Sequence, residues 1–282
     1  MDNRETKPRV GGPDVSTRDL FRLDERTILI TGGGGALGLE VAGSVLESGG
    51  DVICLDIQEH PPEIGWAKVQ AIAERHGTKI TYYRADVTNA DEIRDVFDKA
   101  MPTLRYPLRG VVTCAGISRA VSAVDYSIDA FRRVVDINLT GTFIVAQAAA
   151  REMTKQGVSG SMVLVASMSG SITNRGVDNS AYNSSKSAVL QLGRSLAAEW
   201  GSRPGHPLIR VNTISPGYIR TAMTAKSLAA KPSREQEWSA GNMLNRLSTT
   251  DEYRAPIIFL LSDGSSFMTG ADLRVDGGHT AW

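Results

Sequence analysis

Two cysteines, four histidines and no excess charge of either sign set the first limits on this 282-residue chain. Cys54 and Cys114 both lie in apolar runs of strand character, which excludes a disulfide framework and suits a reducing compartment. His60, His76, His206 and His279 are far apart, with no Cys or His neighbour at ligand spacing, so no metal centre is expected. Thirty-one basic side chains balance thirty-one acidic ones, which leaves no strong field to attract nucleic acid or an anionic membrane. The expected partners are therefore small molecules or further copies of the chain. No apolar run approaches the roughly 18 residues a transmembrane helix needs. Residues 1–19 are polar, with Lys7-Pro8 and Gly11-Gly12-Pro13, and lack the apolar segment of a secretory signal. Asp2, Glu5 and Asp14 argue against a mitochondrial presequence, so a disordered tail and a cytoplasmic protein are expected.

What is present is an alternation. Short β-branched runs at 27–31, 51–56, 79–85, 109–114, 161–166, 208–214 and 272–275 read as seven strands. Apolar residues at three and four spacing between them predict helices at 37–46, 64–75, 92–99, 131–153, 181–200 and 253–261. Strand and helix in alternation predict an α/β fold, a single Rossmann-like doubly wound parallel sheet covered by helices on both faces, over residues 20–282. Residues 221–250 break the rhythm with a polar, helical stretch. Ligands bind outside the carboxyl ends of such strands, so this insertion after the sixth strand is placed to act as a lid.

Gly32, Gly33, Gly34, Gly35, Ala36, Leu37 and Gly38 follow the first strand and open the first helix. Glycine lets the backbone turn tightly and approach a pyrophosphate, which the free amides and dipole of the helix start stabilise. Asp56 ends the second strand, where its carboxylate can accept from adenosine ribose hydroxyls. It would repel a 2'-phosphate, and neither Gly35 nor Ile57 offers a basic side chain to receive one, so NAD is favoured over NADP. Asp86 ends the third strand and reads equally as an adenine contact or as a cap for the helix near Asn89. Cys114-Ala115-Gly116 leaves room for a ring against the sheet.

Tyr182 and Lys186 stand one helical turn apart, which stacks a phenol and an ammonium on one face. A free tyrosine titrates near ~10, and lowering it by roughly three units takes about 4 kcal/mol, which a nearby cation can help to supply. Asn138 sits in an apolar helical stretch and reads as a kink stabiliser, a role compatible with a proton relay. Ser167 and Ser169 each offer a hydroxyl for a substrate oxygen beside the phenol. Pro216-Gly217 and Thr221 read as a closure of the nicotinamide end or as a turn and helix cap.

In order and spacing, these motifs, together with Val275-Asp276-Gly277-Gly278 near the C-terminus, resemble the short-chain dehydrogenase/reductase family from about Leu20 to Trp282. The closing stretch and Leu55-Asp56-Ile57 are most similar to fungal polyol and ketose reductases of the arabinitol or xylulose type. The resemblance implies that Tyr182 is the general acid/base, that Lys186 lowers its pKa and holds the nicotinamide ribose, and that Asn138 anchors a relay water. It implies that Ser167 orients the substrate oxygen. The family's usual separation of serine and tyrosine would choose Ser169, but its Ser-x-x-Gly pattern fits Ser167 to Gly170. Leu37, Ile57, Val87 and Ile219 join the cofactor contacts on the same ground. Two departures stand out: Ala36 replaces a loop glycine, and Cys114 replaces the asparagine before Ala-Gly. The resemblance implies an NAD(H)-dependent oxidoreductase, assembled as a dimer or tetramer, that interconverts a polyol-like secondary alcohol and a ketone. The alternatives are a reductase of a bulky ketone or imine and a non-catalytic nucleotide-binding regulator.

Overall fold

The computed structural model of the chain describes residues 15–282, apart from the side chains of residues 226 and 227. The tail expected over residues 1–19 thus falls mostly outside the described residues. Its last part is a turn at Asp19–Phe21, whose Phe21 ring lies 6.3 Å from that of Phe259.

Strand β1 (Thr27–Thr31) is buried along its whole length, as a run apolar on both faces must be when helices cover both sides of a sheet. With β2 (Asp51–Asp56), β3 (Ile80–Arg84), β4 (Leu108–Thr113), β5 (Gly160–Val165), β6 (Ile209–Pro216) and β7 (Asp272–Val275) it forms one parallel sheet in the order β3-β2-β1-β4-β5-β6-β7. Every pairing in it is parallel. The chain reverses its direction of travel between β1 and β4, the switch point where such sheets open a crevice.

Helices α1 (Ala36–Glu47), α2 (Glu63–His76) and α9 (Arg254–Leu261) cover one face around Ile28, Ile30, Cys54, Val112 and Val163. On the other face α3 (Ala90–Ala100), α5 (Gly141–Gln156) and α6 (Ser180–Trp200) close over Leu29, Ile53, Val111 and Leu164. Val189 and Leu196 of α6 are buried in this second core. Leu192, on the same helix, packs against it partly buried.

The helix expected over 131–153 is interrupted. Helix α4 (Ile128–Val135) runs into a π-turn at Asp136–Thr140 before α5 begins. The wider turn places the fully buried Asn138 amide where it finds partners outside the helix, which an unbroken α-helix lined with apolar neighbours would not offer. Residues 221–250 are indeed helical in part, with α7 (Ala222–Ala230) and α8 (Arg234–Ala240).

The turn after β1 approaches its neighbours so closely that side chains are excluded. A Cβ on Gly33 would lie 2.5 Å from Cys54 Cβ, and one on Gly38 would lie 2.2 Å from Gly32 O. Gly33→Ala is expected to cost about 1–3 kcal/mol through overpacking, read as a lower urea midpoint at unchanged slope.

Candidate active site

Helix α6 starts beside the carboxyl ends of β5 and β6 and carries Tyr182 in its first turn. Lys186, one turn on, is only 4% exposed, and its Nζ donates to Val165 O at 2.7 Å, 5.8 Å from the Tyr182 ring centroid. Burial pulls its pKa down to about 8, against a weaker opposing effect of the Cys114 thiol. Burial raises the Tyr182 phenol above its ordinary value, and a hydrogen bond with the Ser167 side chain acts the other way. Of the two candidate serines, Ser167 is the one whose side chain bears on the phenol in this way. The Ser169 N–H donates to Ser167 Oγ at 3.1 Å and steadies that hydroxyl from behind.

Asn138 joins three segments around this helix. Its Oδ1 accepts the Ile117 N–H at 2.9 Å, and its Nδ2 donates to Ile117 O and Ser185 Oγ, both at 3.0 Å. Ser185 Oγ in turn donates to Tyr182 O at 2.8 Å. The amide therefore ties the loop after β4 to the turn of α6 that holds Tyr182. Small residues leave the floor open between them: a Cβ on Gly116 would lie 3.2 Å from Asn138 Oδ1 and 3.6 Å from Lys186 Nζ. Ala115 N–H donates to Thr31 Oγ1 at 3.2 Å. Cys114 lines the same corner, its thiol pushed up to about 12 by burial despite the pull of Lys186.

The glycine loop lies across the switch point. Gly32 has φ of +63°, and a Cβ there would lie 2.8 Å from Ala115 N. Gly35 precedes α1 and caps it with no side chain, so the amides of the first turn, at Ala36, Leu37 and Gly38, face an open helix start suited to an anion. Ala36 heads the helix with its side chain exposed, while the tight approaches fall at Gly33 and Gly38. Asp56 Oδ2 accepts the Gly34 N–H at 2.9 Å and Oδ1 the Gln58 N–H at 3.3 Å, so this carboxylate braces the loop and borders it. Exposed Ile57 follows. A tight, uncapped helix start with a carboxylate beside it fits a dinucleotide.

Asp86 has turned to its own loop. It accepts the Thr88 N–H and hydroxyl and pairs with Arg133 at 3.5 Å, whereas Asn89 caps α3. Val87 packs against Gly141 at the start of α5. Beyond β6, Pro216 ends the strand, Gly217 N–H donates to Val275 O at 3.0 Å, Ile219 bridges to Ser248, and Thr221 caps α7 in a capping box with Thr224.

Sequence reasoning passed over Asn174, Asn179, Tyr218 and Trp238. The Tyr218 and Trp238 rings stack at 4.0 Å and 1°, and Asn174 Nδ2 donates to Tyr218 Oη at 3.2 Å. An aromatic directly after Pro-Gly, with a tryptophan inside the polar stretch 221–250, was the available signal. Asn179, which precedes α6, and Asn183 each carry a buried Oδ1 without a hydrogen-bond partner. Among the described residues no group of three or more His, Cys, Asp and Glu could hold a metal ion.

The family model described as Enoyl-(Acyl carrier protein) reductase matches residues 34–280. The chain is 58% identical over 279 residues to the short chain dehydrogenases/reductase notP' of Aspergillus versicolor, across 99% of this chain and 95% of that protein. It is 32% identical to the NADH-dependent L-xylulose reductase of Ambrosiozyma monospora, across 93% and 97% of the two chains. The crystal structure of the NADPH-dependent 3-quinuclidinone reductase of Rhodotorula rubra has the same fold, with a TM-score of 0.84, 31% identity and full coverage of both chains.

The depressed Lys186 has a consequence for stability. The unfolded chain keeps this proton up to the ordinary lysine value of 10.5, the folded chain only to about 8. Between these values the unfolded state binds more protons, so this group makes stability rise with pH. Urea midpoints of wild type minus Lys186→Met should climb from pH 8 to 10, and a flat difference would show that the ammonium is not desolvated.

Proposed function

Because the chain belongs to the short-chain dehydrogenase/reductase family of NAD(P)-dependent oxidoreductases, we propose that it interconverts a polyol-like secondary alcohol and its ketone, with NAD(H) as cofactor. The observation that carries this reading is the Tyr182 and Lys186 pair: a phenol ring on α6 lying 5.8 Å from a buried ammonium held by Val165 O, with Ser167 two residues past that carbonyl.

A nicotinamide bound here would supply the hydride acceptor for oxidation and the hydride donor for reduction. Everything else falls to the protein. Tyr182 Oη takes the hydroxyl proton during oxidation and gives it back during reduction, and the Ser167 hydroxyl orients the substrate oxygen. Lys186 Nζ lies where a protonated ammonium favours the phenolate through the field of a partly desolvated cleft. Asn138 holds the loop after β4 against α6, and so keeps Tyr182 in place. The glycine loop, the first turn of α1 and residues 56–57, 86–87, 114–116, 216–217, 219 and 221 are the proposed cofactor contacts.

Two observations bear on cofactor and substrate. Asp56 stands beside the glycine loop, where a 2'-phosphate would meet its charge, and this supports NAD. The unpartnered Asn179 Oδ1 and Asn183 Oδ1 lie just before and just after Tyr182 in sequence, and a polyol brings the hydroxyl donors that such buried acceptors lack. The relative named for L-xylulose supports the same class. Similarity along the whole chain to the structure named for 3-quinuclidinone favours the second reading, a bulkier ketone. The proposed homo-oligomer rests on the family resemblance, and sedimentation of the purified chain decides it.

Tyr182→Phe should bind cofactor as wild type does and lose about 100-fold or more in kcat, and near-wild-type turnover would refute the assignment. Absorbance at ~340 nm with a panel of polyols should show turnover with NAD exceeding that with NADP at equal concentration. Faster turnover with NADP would remove Asp56 from its proposed role.

A further inference from the structure

Tyr218 makes three separate attachments, one from each part of the residue. Its backbone carbonyl accepts both the N–H and the hydroxyl of Ser248 at 3.0 Å, which pins the far end of the lid. Its ring stacks on Trp238 of α8 at 4.0 Å, with the His279 ring set edge-on to it at 5.7 Å between ring centres. Trp238 is buried on this contact, and the Arg234 guanidinium lies over its ring at 5.9 Å. The third attachment leaves the lid altogether. Tyr218 Oη accepts from Asn174 Nδ2 at 3.2 Å, and Asn174 Oδ1 accepts from Asn179 Nδ2 at 3.4 Å.

Asn179 is the residue before α6, and its side chain gives α6 no cap. Instead its backbone carbonyl receives the Asn183 N–H at 3.0 Å, which closes the turn containing Tyr182. Both Asn174 and Asn179 are buried, at 3% and 6% exposure. Buried amides joined in this way hold their orientation, since each broken link leaves a polar atom without water or partner. The neighbouring loop is bound in as well, with Val121 N–H donating to Asp178 O at 2.7 Å. A shift of α8 is thus passed through one rigid ring to the start of the helix that carries the phenol.

We propose that Tyr218 is a positioning residue through which the lid sets the placement of Tyr182. The proposal rests on the reading of Tyr182 as acid/base. When α8 is seated, the stack holds the Tyr218 ring, the ring holds Asn174 and Asn179, and the first turn of α6 stands in its working position. When α8 lifts, the same chain slackens, and proton transfer is slowed by misplacement rather than by loss of binding.

Tyr218→Phe keeps the stack and removes only the hydroxyl, and Asn174→Ala cuts the same link from the other side. Each should lower kcat roughly tenfold while cofactor Kd stays within about twofold of wild type, a split that general structural damage would not produce. The double variant should lose no more than the worse single one, because both substitutions break one chain. A kcat within about twofold of wild type in Tyr218→Phe, or losses that multiply in the double variant, would overturn the proposal. Hydrogen exchange on the full chain gives a readout that needs no substrate. Amides of residues 174–183 should exchange about fivefold or more faster in Tyr218→Phe, with β1 unchanged, and unchanged exchange in 174–183 would also overturn the coupling. Failure of the acid/base reading appears elsewhere, as retained turnover in Tyr182→Phe.

Discussion

A buried ammonium must have an acceptor, and in this protein the need is met by one carbonyl. Lys186 Nζ donates to Val165 O, the last residue of β5, and so anchors α6 to the sheet at the point where Ser167 leaves it. Serine, tyrosine and lysine come together because that bond fixes the helix against the strand. The desolvation that makes the bond necessary also pulls the lysine toward neutrality, so the cation is held close to the balance between its two protonation states. Cys114 lies in the same corner, and its buried thiol stays protonated.

The cofactor side depends on a different constraint, the closeness of the backbone at the switch point. Gly32, Gly33 and Gly38 meet Ala115, Cys54 and one another at distances no side chain tolerates, and this sets the entry angle of α1. The uncapped start of α1 and the Asp56 brace follow from that angle. Ala36 is accommodated because the crowded positions of the turn are its neighbours.

Much of the site could be read along the chain. The glycine loop, Asp56 and the Tyr182 and Lys186 pair are local patterns, each given meaning by the strand or helix that contains it. Strands β1, β2 and β5 were legible for the same reason, since runs apolar on both faces have few other uses in a chain of this composition, whereas β3 and β7 are partly exposed strands at the sheet edges. Asp86 was ambiguous, because a carboxylate at a strand end can turn toward a ligand or toward its own loop. In the fold it accepts from Thr88, two residues on, and pairs with Arg133, which the fold brings from α4. The break at Asn138 was signalled by an amide in an apolar helical stretch, while its form, a π-turn, and its partners Ile117 and Ser185 come only from the fold.

Sequence by itself determined the fold class and the local motifs, the glycine loop and the Tyr182 and Lys186 pair, because strand periodicity, glycine and side-chain type act over a few residues. Tertiary structure alone decided where the lysine finds its acceptor and how residues 218–248 are joined to the segment before α6. These are contacts between residues distant in the chain, as with Tyr218 and Trp238 or Asn174 and Tyr218. Their geometry arises only when the sheet brings separate loops to one edge, and no local pattern encodes the distance between them.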